Sequence, residues 1–90
     1  MKIYTYKGQR NLAGRRILEA RETLHLSQRQ MAAKLQVKEV MLDKKALSRI
    51  ERQERFLSDF ELLIIAEVLD VDVIWLLTGR GKGPDERPGQ

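Results

Sequence analysis

Apolar residues recur every three or four positions over most of this chain, and each recurrence is opened by a residue suited to capping a helix. From Asn11 to Leu24 the positions Leu12, Ile17, Ala20 and Leu24 carry the apolar side, with Arg15, Arg16, Glu19 and Glu22 between them, which predicts a first amphipathic helix. A second starts at Ser27: its hydroxyl can accept from the free amides of the first turn while Gln30, three residues on, reaches back. Met31, Ala32 and Leu35 form its apolar face. The rhythm lapses over "KEVML", residues 38–42, and resumes behind Asp43, which can cap a third helix through "KKALSRIERQ" with Leu47 and Ile50 facing inward. Ser58 and Glu61 make another capping box at the start of "DFELLIIAEVLD", where Leu62, Leu63, Ile65, Ala66 and Leu69 predict the most apolar helix and the central packing element. Asp72 caps a short last helix, "VIWLLTG", which Gly79 ends.

Five helices and no alternating strand pattern within this stretch place the chain in the all-α class. The two ends differ. Residues 1–10 include "KIYTY", whose strand-forming residues suit an N-terminal arm, a short edge strand or a dimer contact. Residues 80–90 hold both prolines and three glycines without an apolar anchor, which predicts a flexible tail. The helical unit between them is assigned to residues 11–79. At 90 residues there is room for one core.

Charge changes the picture more than size does. Seventeen Lys and Arg against thirteen Asp and Glu leave a formal charge of +4, enough to allow a polyanionic partner without proving one. The distribution is sharper than the total: Lys44, Lys45, Arg49, Arg52 and Arg55 share one short window, whereas residues 58–77 carry acids and no base. There is no cysteine and a single histidine, His25, so thiol chemistry and thiolate metal sites are excluded and an imidazole cluster is disfavoured. No segment has the length and apolarity of a signal peptide core or a membrane span. A cytoplasmic protein without cofactor, metal, membrane contact or small-molecule ligand is the expectation.

With "KEVML" set aside, Ser27 to Glu51 resembles the helix-turn-helix of the Cro and phage-repressor proteins, the XRE family. "LSQRQMAAKL" is similar to the family's first motif helix, "LDKKALSRIERQ" to its recognition helix, "LSDFELLIIAEVLDV" to its fourth helix and "VIWLLTG" to its closing helix. Each string is weak evidence, but the four occur in the family's order from Leu12 to Gly79, and removing about five residues restores the register of all that follow. The resemblance therefore implies a five-helix, lambda-repressor-like DNA-binding domain with a lengthened turn between helices 2 and 3. A few added loop residues cost only a fraction of a kcal/mol in closure entropy. Val40, Met41 and Leu42 in the added segment can pack over the junction, extend helix 3 backward or touch a partner, with local packing preferred. Gln36 stands where the family has a turn-forming glycine, a departure that the longer turn can absorb.

Carried over residue by residue, the resemblance places the recognition helix, about residues 43–53, in the major groove of double-stranded DNA. Lys44, Lys45 and Arg49 are then the main base-contacting candidates, with Ser48 and Ala46 secondary; Lys and Arg match the O6 and N7 acceptors of guanine. Gln28, Arg29, Arg52 and Arg55 are candidates for phosphate contact. Taken alone, the cluster reads as a solvated helix face; within the full order of motifs, binding is the better reading. Arg21 and Glu51 fall where similar repressors join helix 1 to the recognition helix by an ion pair. Trp75 reads as core and His25 as an inert loop residue.

The function implied is a sequence-specific transcriptional regulator, a repressor that occupies an operator as a homodimer. The competing class is a protein-interaction module, antitoxin-like in its partner binding, that uses the same fold with Val40, Met41, Leu42 and the aromatic N-terminus as its surface. Open exposure of Lys44, Lys45 and Arg49 favours the first, and an obstructing loop the second. An enzyme is the weakest reading, because spacing supports no nucleophile, phosphate-cradling loop or convergent carboxylate set.

Overall fold

The computed structural model describes residues 5–85. Its helices are α1 Gly14–Thr23, α2 Gln28–Val37, α3 Lys44–Glu51, α4 Asp59–Leu69 and α5 Val73–Thr78. Both capping boxes form: Ser27 Oγ accepts from the amide of Gln30 at 3.0 Å and Ser58 Oγ from that of Glu61 at 3.2 Å, with the Gln30 and Glu61 side chains accepting from the cap amides in return. Asp43 caps α3 through the Ala46 amide at 2.8 Å.

One predicted helix start and one predicted cap differ from what is found. The first helix begins at Gly14, because Asn11 stays outside it as an anchor: Oδ1 accepts from the Gly14 amide at 2.7 Å, while Nδ2 donates to the carbonyls of Ile50 and Arg55. Leu12 is consequently exposed and Ala13 takes the buried place. Asp72 stands at the cap position of α5, yet its carboxylate accepts from the Lys82 amide at 2.8 Å instead of a helix amide.

That contact changes the reading of the C-terminal segment. Asp72 also donates its amide to the Lys82 carbonyl at 2.9 Å. Gly83 lies so close to the Trp75 ring that a Cβ there would stand 2.8 Å from it. Residues 80–85 are thus folded back on α5 by backbone pairing and aromatic contact, neither of which an apolar anchor is needed to supply. Most of "KIYTY" lies outside the described residues. Next to it, Tyr6 and Gln9 exchange both backbone hydrogen bonds around Lys7 and Gly8, each at positive φ, the geometry of a two-residue hairpin turn.

Four helices end alike. His25, Glu39, Gln53 and Asp70 follow α1 to α4 in the left-handed region, at φ 58, 66, 64 and 55°. The next amide in each case reaches back to a carbonyl of the last turn, Leu26 to Arg21, Val40 to Leu35, Glu54 to Arg49 and Val71 to Ala66. This is the double-bonded helix stop usually built on glycine; here four non-glycine residues accept the strain.

The stop at Glu39 accounts for three of the surplus residues. The chain does not turn at Gln36; α2 runs on to Val37 and turns three residues later than a glycine at Gln36 would have turned it. Val40 and Leu42 are buried, so the preferred local packing holds for those two, and α3 gains no backward extension. Met41 and Val37 face out, at 73 and 84% exposure.

All five helices feed one core, Ile17 from α1, Met31 and Leu35 from α2, Leu47 and Ile50 from α3, Ile65 and Leu69 from α4 and Leu76 from α5. Trp75 belongs to it, as its position predicts, whereas Leu63 on α4 is half exposed. At Gly14 the approach of α1 to α3 is so close that a Cβ would collide with the Ile50 carbonyl. A side chain there would push α3 away from its support.

Candidate nucleic-acid interface

The far end of α3 is fastened from three directions. Glu51 is buried, and its carboxylate meets Arg21 in a two-pronged pair, Nε to Oε2 at 2.7 Å and Nη2 to Oε1 at 3.1 Å. Gln28 Nε2 donates to Oε1 at 2.9 Å, and Arg21 Nη1 donates to the Leu26 carbonyl at 2.8 Å. The hydrogen bond to Glu51 raises the Arg21 guanidinium above its usual range, against the opposing effect of burial. A buried carboxylate needs this degree of satisfaction. Here it joins α1, the start of α2 and the end of α3 in one unit.

The outer face of α3 is different. Lys44, Lys45 and Arg49 are exposed, and among the described residues no ion pair engages them. Lys45 and Arg49 lie four residues apart, hence on one helix face, with Ser48 beside them. Arg29, at the start of α2, is exposed too. Because Ser27 takes the Gln30 amide, the amides of Gln28 and Arg29 have no acceptor among the described residues. A helix start with free amides favours an anion.

The remaining candidates are already engaged within the fold. Gln28 gives its side-chain amide to Glu51, so what it offers outward is its backbone N–H. Ser48 Oγ accepts from Arg52 Nη1 at 2.9 Å, and Arg52 Nε lies 3.3 Å from Glu54 in an exposed pair of little energetic weight. Arg55 is held more firmly: both of its terminal nitrogens reach the Glu61 carboxylate, at 3.1 and 3.3 Å, and Nη1 also donates to the Phe56 carbonyl. Burial opposes charge on Glu61, but Arg55 and the Ser58 amide together outweigh it and hold the carboxyl below its ordinary value. His25 is exposed at the left-handed stop of α1.

Three residues have structural roles that the motif reading does not assign: Asn11 bridges the start of α1 to the end of α3, Gly14 permits their close approach, and Gln28, which the resemblance offers for phosphate, locks Glu51. Of Asn11 and Gly14, only Gly14 leaves a trace in the sequence, as a glycine inside a helical rhythm.

A family model described as helix-turn-helix, of the XRE or Cro/C1 type, matches residues 17–76, more than half of the chain. The chain belongs to the XRE helix-turn-helix family. No curated protein and no solved structure matches it. Membership makes the five helices a lambda-repressor-like domain and the protein a DNA-binding helix-turn-helix regulator. The XRE helix-turn-helix family is a family of DNA-binding regulators and not of enzymes. Among the described residues no helix is long and apolar enough to cross a membrane.

Proposed function

We propose that the protein is an operator-binding repressor that inserts the Lys44 end of α3 into the major groove. The observation that carries this reading is the set of three exposed cations, Lys44 and Lys45 in the first turn of α3 and Arg49 one turn on, that no carboxylate engages among the described residues, on a helix whose end is locked into the core through Glu51. Lys44, Lys45 and Arg49 address base edges, guanine foremost. Ser48 adds to them once Arg52 turns toward a phosphate. Arg29 and the amides at the start of α2, Gln28 included, take the neighbouring backbone, with Arg52 clamping further along. Arg55 contributes positive field from its place beside Glu61.

A homodimer on a two-fold site suits a domain with one recognition helix. Phe60 and Leu63 on α4 and Ile74 on α5 are large, apolar and exposed, which supports this side as the dimer surface. The same side chains support the second reading, an antitoxin-like module that binds a different protein. Selection of binding sites from random duplex DNA tests the proposal. An enriched, roughly palindromic site whose preference relaxes in a Lys45→Ala/Arg49→Ala variant is the expected result. Weak, strongly salt-dependent binding without enrichment would overturn it.

A further inference from the structure

The link between α2 and α3 carries an exposed apolar side chain whose direction is fixed. Burial alternates along it: Val40 is 6% exposed, Met41 73% and Leu42 3%, and Asp43 is exposed again with extended backbone, φ −79° and ψ 177°. Alternation of this kind puts successive side chains on opposite sides. Met41 therefore shares the outer side of the link with Asp43. That side faces the open end of α3, because Asp43 Oδ1 accepts from the Ala46 amide there. Val40 and Leu42 anchor the backbone on both flanks, so Met41 cannot withdraw into the core without displacing one of them.

Lone exposed apolar residues are ordinary. This one stands three residues before Lys44, beyond the capping Asp43, and Lys44, Lys45 and Arg49 on the helix that follows suit a polyanion. In the major groove the apolar feature available to it is the 5-methyl group of thymine. An unbranched, polarizable thioether adapts to such a surface, and with the backbone already pinned only side-chain freedom is lost on contact. We infer that Met41, carried outward by the lengthened link, packs on a thymine methyl at the edge of each half-site, beside the base pairs met by Lys44 and Lys45. The inference rests on the operator-binding reading above.

The test uses the full chain and the site it selects, with each thymine replaced in turn by uracil to remove its methyl group. For the wild-type protein one replacement per half-site, next to the pairs protected by Lys44 and Lys45, is expected to weaken binding about fourfold, the worth of one buried methyl. Met41→Ala is expected to bind the unaltered site about fourfold more weakly and to ignore that uracil. Met41→Leu is expected to retain the sensitivity. Thermal unfolding of all three proteins checks that the exposed substitutions leave the fold intact. An identical uracil profile in wild type and Met41→Ala, on a site that still depends on Lys45 and Arg49, overturns this inference alone; it would leave Met41 to a protein partner. If no site is selected, or selection ignores Lys45 and Arg49, the operator reading fails and the inference falls with it.

Discussion

The open face of α3 and the segment past its far end carry similar residues and lead opposite lives. On that face, Lys44, Lys45 and Arg49 meet no carboxylate among the described residues. Past the far end, Arg55 is gripped by Glu61, Arg52 touches Glu54 and Ser48, and Glu51 itself is buried against Arg21 and Gln28. A run of basic residues is therefore not one feature. Its members divide by whether an acid lies within reach, Glu54 loosely for Arg52 and Glu61 firmly for Arg55, and that division separates the cations open to a ligand from the one that holds the fold.

The largest expected effect breaks the locked end. Glu51→Ala leaves Arg21 buried without its partner and frees Gln28, so denaturant unfolding should show a loss of about 3–5 kcal/mol; a loss no greater than that of a surface substitution would mean the network is slack. Next comes the open face. Arg49→Ala should lower affinity for the selected site by about tenfold to a hundredfold, as for a lost base contact, with the thermal midpoint within about two degrees of wild type. Fluorescence anisotropy beside calorimetry separates the two effects.

Arg55→Ala lies between these cases, and pH sharpens it. The Glu61 carboxyl sits below its ordinary value of 4.5 in the folded protein, so its contribution to stability is complete above that value and is lost as pH falls through the lower, folded one. The variant should be less stable by about 1 kcal/mol at neutral pH, and the difference from wild type should shrink on acidification. The smallest effect belongs to Arg52→Ala. Its exposed pair adds little to stability, yet the slope of log affinity against log salt should fall by about one if the side chain meets a phosphate. An unchanged slope would move Arg52 to the structural group.

The helices were legible from capping chemistry and spacing because both are local: Ser27, Ser58 and Asp43 act on amides three residues away. Asp72 shows the limit. Its sequence position is that of a cap, but Lys82, ten residues on, supplies a better-placed donor, and no local pattern announces such a return. The Arg21–Glu51 pair could be anticipated only through resemblance to similar repressors, since 30 positions separate the two. The division of the basic cluster was not legible for a different reason: Glu54 and Glu61 lie only two and six residues from Arg52 and Arg55, but Glu61 reaches Arg55 only because the turn after α3 brings the start of α4 back against it.

The late stop of α2 has a consequence for how such a chain can change length. Three added helical residues advance the departing backbone by about 300° and 4.5 Å, close to a full revolution, so the link leaves from nearly the same side of the cylinder as before. The small angular debt falls on the non-helical residues that follow, where torsions are soft and closure is cheap. A helix that grows by close to its own period can thus be lengthened without re-aiming its successor, while an addition of one or two residues would swing the next element around the axis. The end of a helix is in this sense a joint with preferred increments, and the helical part of the surplus in this chain sits near one of them.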